Sequence, residues 1–249
     1  MHKNTILGVE IPTESKDDTL EQIIRDMPHP AKFCHIVSLN PENIILSLEN
    51  EDFRKALDRS QIHIIDGIGI IWAARVLGVN TGDKISGVDL MVELLKVASD
   101  KRLKVMLIGG KENIANKVIE CQSKVFQGID FKSAEAISDI HHPKSQEEDK
   151  IFSIVAAFKP HLVFVAFGSP WQELWIDKNS LKFGKSIVVG VGGAFDFLGG
   201  NVYRAPKILR NLGFEWLFRL LVQPWRWKRQ LRLIKFIWLV IKQKLYLRE

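Results

Sequence analysis

The sequence predicts an α/β fold: a Rossmann-like parallel sheet with helices on both faces, extended by a C-terminal helical appendage that is basic and aromatic. Two patterns predict the sheet. Short apolar runs of strand length alternate with segments of helical period, and near-continuous apolar strands belong to parallel sheets covered on both sides. Five of the runs end in glycines or small polar groups, at the edge where such sheets take their ligands. Charge predicts the appendage. Residues 201–249 hold 12 Lys and Arg against two acids, a net +10, while the other 200 residues net −4. The 249 residues thus divide into an α/β body over 1–200 and an appendage over 201–249.

In chain order, CHIVSLN (Cys34–Asn40) reads as a strand and PENIILSLENEDFRKALDRS (Pro41–Ser60) as one helix with Pro in its first turn. IHIID (Ile62–Asp66) is a strand that runs through a GIG turn into a helix ending near Ala74. GVDLMVELLKVASDK (Gly87–Lys101) is a helix, KVMLIGG (Lys104–Gly110) a strand, and ENIANKVIECQSKV opens the next helix. HLVFVAFG (His161–Gly168) and SIVVGVGG (Ser186–Gly193) are further strands. Cys34 and Cys121 lie far apart without a CxxC and read as buried free thiols in a reducing compartment. The longest uncharged stretch of the last helix, FIWLVI, is six residues between lysines, against the roughly 18–20 a spanning helix needs. The N-terminus lacks the apolar stretch of a signal peptide. The expectation is a cytoplasmic protein that meets a membrane only peripherally.

Gly109, Gly110, Gly168, Gly192 and Gly193 would let backbone N–H groups approach a phosphate. Each alone is equally a turn residue, but together on one sheet edge they favour a nucleotide site. No GK[ST] is present, which argues against an NTPase. Asp66, between an apolar strand and a glycine turn, is either a general base with a raised pKa or a helix-capping aspartate. Ser38 and Asn40 could bond a sugar or cap the helix that starts at Pro41. Gln172 and Glu173 suit a sugar or uracil edge, or are ordinary first-turn residues. DxD is absent, and His141 and His142 sit in a polar loop without ligand-spaced partners, so no metal and no cofactor are expected.

The tail carries the clearest pattern. Trp227, Leu231, Ile234, Trp238, Ile241 and Leu245 step by 4, 3, 4, 3 and 4, a sustained apolar row, with Lys228, Arg232, Lys235 and Lys242 beside it. Such a stripe suits a helix lying in the interface of an anionic membrane, where each basic residue adds ~1 kcal/mol. The competing reading is a helix packed on the body or on a second subunit. The preceding segment, Pro206–Val222, reads as one helix whose Leu209, Leu212, Trp216, Leu217 and Leu220 pack on protein, which leaves a homo-oligomer open. A basic aromatic tail also raises nucleic acid as a partner; the acidic body and the tidy apolar row weigh against it.

Assembled, the runs SLNPE, DGIGIIWAARVLG, SGVDLM, LIGGK, FGSPWQE, GVGGAFDFLGG, RAPK and LGFEWLFRLLVQPWRWKRQ closely resemble the WecG/TagA/CpsF family of bacterial glycosyltransferases, from Ser38 to Gln230 and in the family's order. The resemblance implies an inverting, metal-independent enzyme at the cytoplasmic membrane face. Its donor would be a UDP-sugar and its acceptor an undecaprenyl-diphosphate-linked sugar. The best-known pairing is UDP-N-acetylmannosamine with lipid-linked N-acetylglucosamine, for the linkage disaccharide of wall teichoic acid. Close relatives use UDP-N-acetylmannosaminuronic acid or glucose. By motif, Asp66 is the implied base, and Ser38, Asn40, Gln172 and Asp196 are pocket residues. Arg219, Arg226 and Arg229 would neutralise diphosphate. Lys84 stands where relatives commonly carry Arg, keeping the charge without the planar fork.

Overall fold

The computed structural model describes residues 4–110, 113–211, 213–224 and 227–246, with the side chains at 211, 228 and 229 outside the description. A small antiparallel hairpin, β1 (Thr5–Ile6) and β2 (Val9–Glu10), leads into α1 (Lys16–Asp26). There follow β3 (Cys34–Leu39), α2 (Pro41–Glu49), α3 (Glu51–Arg59), β4 (Ile62–Ile65), α4 (Ile68–Leu77) and α5 (Gly87–Asp100). The second half of the body runs β5 (Lys104–Gly109), α6 (Ile114–Ser123), β6 (Asp130–Ala134), α7 (Ser145–Phe158), β7 (Leu162–Ala166), α8 (Trp171–Lys178), a 3-10 turn (Ser180–Phe183), β8 (Ile187–Gly190) and α9 (Ala194–Leu198). The chain ends in α10 (Lys207–Asn211), α11 (Glu215–Val222) and α12 (Trp227–Tyr246).

Six strands form one parallel sheet in the order β4-β3-β8-β7-β5-β6. Because all are parallel, every carboxyl end reaches the same edge, and the loops with unusual chemistry converge there. Alternate strand residues feed opposite cores. Ile36, Ile64, Val105, Leu107, Phe164 and Val189 meet α1, α5, α6 and α9 on one face. Val37, Leu39 and Ile65 meet α2, α3 and α4 on the other, where Met106, Val163 and Val188 meet α7 and α8.

Two expected helices are each two. The helix expected over 41–60 breaks at Asn50, whose backbone turns extended (φ −136°, ψ 109°) while its Oδ1 caps α3 by accepting from the Phe53 amide at 2.9 Å. The helix expected over 206–222 breaks at Gly213, which takes φ +81°, a conformation closed to most other residues. Of the face expected to pack on protein, Leu209 and Leu220 are half-buried, Trp216 and Leu217 are exposed on this chain, and Leu212 lies outside the described residues. No residue of α11 is fully buried, and Ile208, Trp216, Leu217 and Leu221 are exposed.

The last helix has two unlike faces. Phe236 and Val240 are wholly buried against α2 and α4, and Gln243 accepts a hydrogen bond from the Leu7 amide at 3.0 Å. The row Trp227, Leu231, Ile234, Trp238, Ile241 and Leu245 points away from the body, from 47% exposed at Ile241 to 65% at Ile234. Part of the expected basic flank is committed to protein: Arg232 pairs with Glu42 at 3.2 Å and Lys235 with Glu49 at 2.6 Å, both on α2. Lys242 lies over the Trp238 and Tyr246 rings. Among the described residues no helix is long and apolar enough to cross a membrane. Cys34 and Cys121 are free and half-buried.

Candidate active site

A cleft of about 1710 Å³ runs along the carboxyl edge of the sheet. Ser38 from the end of β3, Asn40 and Glu42 at the start of α2, and Asp66 after β4 line one end. Gly109 and Gly110 after β5, Gly168 after β7 and Gly192 and Gly193 after β8 line the middle. Residues 133–140, from the end of β6 onward, together with Glu147 and Lys150 of α7, form the far wall. Arg219 reaches the cleft from α11, its guanidinium 4.7 Å from the centre of the Phe197 ring.

Asp66 is set by its backbone. Its amide donates to Leu39 O at 2.8 Å, so it extends the β3–β4 pairing by one step before Gly67 turns away at φ +96°. Burial is the main cause that lifts its pKa from 3.8 to about 6, and the nearby Glu215 carboxylate adds to it. Arg219, the Gly87 amide and Lys84 act in the opposite direction. Gly87 opens α5, so the carboxylate faces that helix's N-terminus. A carboxylate that titrates near 6 is a competent proton acceptor close to neutrality. It is not a helix cap: α4 starts after Gly67 without a side-chain cap.

Asn40 does cap α2, its Oδ1 accepting from the Asn43 amide at 2.9 Å, and Asn43 in turn donates to Ser38 O at 2.7 Å. Gln172 is buried, and its Oε1 accepts from the Gly168 and Gly192 amides at 3.1 and 3.0 Å, tying the β7 and β8 loops together. Gly190 makes room for it, since a Cβ there would stand 2.7 Å from Gln172 Nε2. Gly110 takes φ +82°, and a Cβ there would stand 2.0 Å from Ile114 Cγ2. Both glycines therefore have a backbone reason besides any ligand.

Two expected residues lie off the cleft. Lys84 donates to Arg210 O at 3.4 Å and acts on Asp66 only through its charge. Asp196, in α9, is not among the lining residues; its carbonyl accepts from the Asn201 and Val202 amides. Arg226 and the side chain of Arg229 lie outside the described residues. Among the described residues no three His, Cys, Asp or Glu cluster as a metal site. His142 is exposed and pairs with Asp139, and the His141 ring sits 4.1 Å from that of Trp171.

Glu173, a sugar-edge or first-turn residue by its sequence position, lines the cleft. It is 1% exposed in the cleft wall, and its Oε1 accepts from Gln172 Nε2 at 2.7 Å and Ser169 Oγ at 2.9 Å. Burial raises its pKa. The string FGSPWQE does not reveal this burial, which is a property of the tertiary fold.

Residues 4–249 match the model of the Glycosyl transferase WecG/TagA/CpsF family. Two curated relatives carry the name N-acetylglucosaminyldiphosphoundecaprenol N-acetyl-beta-D-mannosaminyltransferase. The protein of Bacillus subtilis (strain 168) is 32% identical over 209 residues, 84% of this chain and 79% of the relative. That of Bacillus spizizenii (strain W23) is 34% identical over 213 residues, 86% of this chain and 80% of the relative.

Proposed function

The chain belongs to the WecG/TagA/CpsF glycosyltransferase family, and from that premise we propose that it transfers N-acetylmannosamine from UDP to undecaprenyl-diphosphate-linked N-acetylglucosamine, with inversion. It is a glycosyltransferase; the donor, the acceptor and the residue roles are our reading. The observation that carries the reading is Asp66, a carboxylate with a raised pKa at the cleft end where Arg219 arrives from the C-terminal segment.

In the proposed step the acceptor hydroxyl oxygen attacks the anomeric carbon of the donor and its proton passes to Asp66. The bond from that carbon to the β-phosphate oxygen breaks, and UDP leaves with the electron pair. Arg219 meets the charge that grows on the diphosphate. Gln172, holding the Gly168 and Gly192 loops, fixes the backbone amides past which the nucleotide lies. Ser38 and Asn40 contact sugar from the other side.

We assign residues 201–249 the role of seating the enzyme on the cytoplasmic face of an anionic membrane. Trp227, Leu231, Ile234 and Trp238 enter the interface, beside the greasy chain of the acceptor. Fifteen of the twenty exposed large apolar residues among those described fall at or after Tyr203, a concentration that marks an interaction surface. A nucleic-acid role is disfavoured, because Arg204, Arg232 and Lys235 already pair with carboxylates. A uronic-acid donor is disfavoured by Lys84, whose ammonium lies on a carbonyl instead of in the cleft.

The test is a panel of UDP-sugars offered with a short-chain polyprenyl-diphosphate N-acetylglucosamine, reading UDP release and product mass. Transfer from UDP-N-acetylmannosamine in preference to UDP-glucose and the uronic acid is expected. Preference for either of the others reassigns the donor, and no transfer from any of them ends the proposal.

A further inference from the structure

Arg204, in the RAPK run between α9 and α10, is not among the residues that line the cleft, yet its guanidinium bonds side chains on two elements beside it. Its Nη1 donates to Asp89 Oδ1 at 2.6 Å and its Nη2 to Asp89 Oδ2 at 2.9 Å, a two-pronged grip on one carboxylate. Nη2 also donates to Ser86 Oγ at 3.0 Å, and Nε to Glu215 Oε1 at 3.1 Å. Ser86 is the N-cap of α5, and its hydroxyl accepts from the Asp89 amide and donates to Asp89 Oδ2. Glu215 is the first residue of α11.

These contacts join two helix ends that both act on one carboxylate. The residue after Ser86 is Gly87, whose amide hydrogen bonds to Asp66. One turn after Glu215 comes Arg219, which lines the cleft. With α11 burying no residue fully, apolar packing does little to hold it in register.

We propose that Arg204 is a positioning residue whose guanidinium fastens α11 to the first turn of α5, and so holds Arg219 and the Gly87 amide around Asp66. The geometry needs arginine. Three acceptors on two elements are met by the planar fork and its Nε, which the single ammonium of lysine cannot reproduce. Arg204 also neutralises Glu215, the carboxylate that faces Asp66 from α11. The other charged or donating groups acting on Asp66 are Arg219 on the same helix, Lys84 before α5, and the Gly87 amide.

The proposal rests on the transferase reading above, and the test separates the two. In the full-length protein, Arg204→Ala is expected to lower kcat by about 10²-fold, the scale of a catalytic group displaced by an ångström. The KM for UDP-sugar should change by less. With Glu215 left unneutralised, the acid limb of the kcat/KM profile should move to higher pH. Adding Glu215→Gln to Arg204→Ala should return that limb to about its wild-type position, and Arg204→Lys should recover part of the rate. An unmoved acid limb in Arg204→Ala, or one that Glu215→Gln leaves where it is, assigns Arg204 a merely structural part and overturns the proposal. Hydrogen exchange reads the clamp without turnover. Arg204→Ala should speed exchange in α11 and the first turn of α5 while sparing α12. Unchanged exchange there sinks the clamp even if the enzyme transfers sugar, and faster exchange upholds it even if no donor is accepted.

Discussion

Helices α5 and α12 are both amphipathic and solve opposite problems. Over fourteen residues α5 turns Val88, Leu90, Met91, Leu94, Leu95 and Ala98 into the sheet and leaves Val92 as its exposed large apolar side chain. Over twenty residues α12 buries Phe236 and Val240 and exposes its most regular apolar row. At 100° per residue Phe236, Val240 and Gln243 sit roughly opposite that row. Helical periodicity therefore announces a stripe without saying what covers it. In α12 the choice of inner face is made by a few residues off the stripe and by ion pairs to Glu42 and Glu49. The outward row is the part of α12 that the proposed membrane seating would use.

The body side of this comparison breaks most severely at Asp66. Asp66→Asn should lower transfer by about 10³-fold, within the range for loss of a general base. It should not unfold the protein. The folded chain holds this group at about 6 against 3.8 when free, so its ionisation costs stability that is absent below 3.8 and fully present above 6. The variant should therefore melt higher than wild type at pH 8 and equally at pH 3. Retained turnover would remove Asp66 from the mechanism.

How much of this was legible from the sequence follows from the same contrast. β3, β4, β5, β7 and β8 announced themselves because buried parallel strands are unbroken apolar runs closed by glycine or a small polar residue. β6, DFKSA, is an edge strand whose polar residues alternate outward, and no apolar run marked it. The breaks at Asn50 and Gly213 were hidden because each interrupts a pattern that stays apolar at helical spacing on both sides. Of the expected pocket residues, those at strand ends share the cleft because the parallel sheet puts them there. Lys84 and Asp196, inferred from motif alone, do not. Arg204's role could not be found in the string, since it consists of partners distant in sequence, and Glu173 could be offered there only as a sugar-edge or first-turn residue, because its burial is a tertiary effect.

The two faces of α12 can be set against each other directly. Phe236→Ala should cost about 3–5 kcal/mol of helix docking, the usual result of emptying a buried aromatic site. Trp238→Ala should stay within about 0.5 kcal/mol in solution, as for surface changes generally. Chemical denaturation followed by hydrogen exchange in α12 measures both. Equal costs would mean that the outer row is covered by protein after all, and the contrast between the helices would dissolve. On vesicles the order should reverse. Exchanging Trp227 and Trp238 for Ser together should weaken partitioning onto anionic vesicles by at least about tenfold, since each aromatic seated in the interface is worth on the order of 1–2 kcal/mol. Wild-type partitioning in that double variant would detach the row from the membrane.

The smallest effect is the most discriminating. If the basic flank of α12 faced lipid, each of Arg232 and Lys235 would contribute ~1 kcal/mol on an anionic leaflet. The fold instead turns both toward α2, where they pair with Glu42 and Glu49. Their side chains are 37% and 47% exposed, so each pair is worth at most about 1 kcal/mol of docking and less in salt. Arg232→Ala with Lys235→Ala should therefore loosen α12 slightly, more at low than at high ionic strength, and leave vesicle affinity within about twofold. Lys242→Ala, by contrast, removes a cation lying over the outward Trp238 ring, on the face that would meet lipid. It should cost vesicle affinity up to about fivefold, the ~1 kcal/mol of one lipid-facing charge. If the Arg232 and Lys235 variants weakened binding more than Lys242→Ala did, the inner and outer assignments of α12 would have to be exchanged.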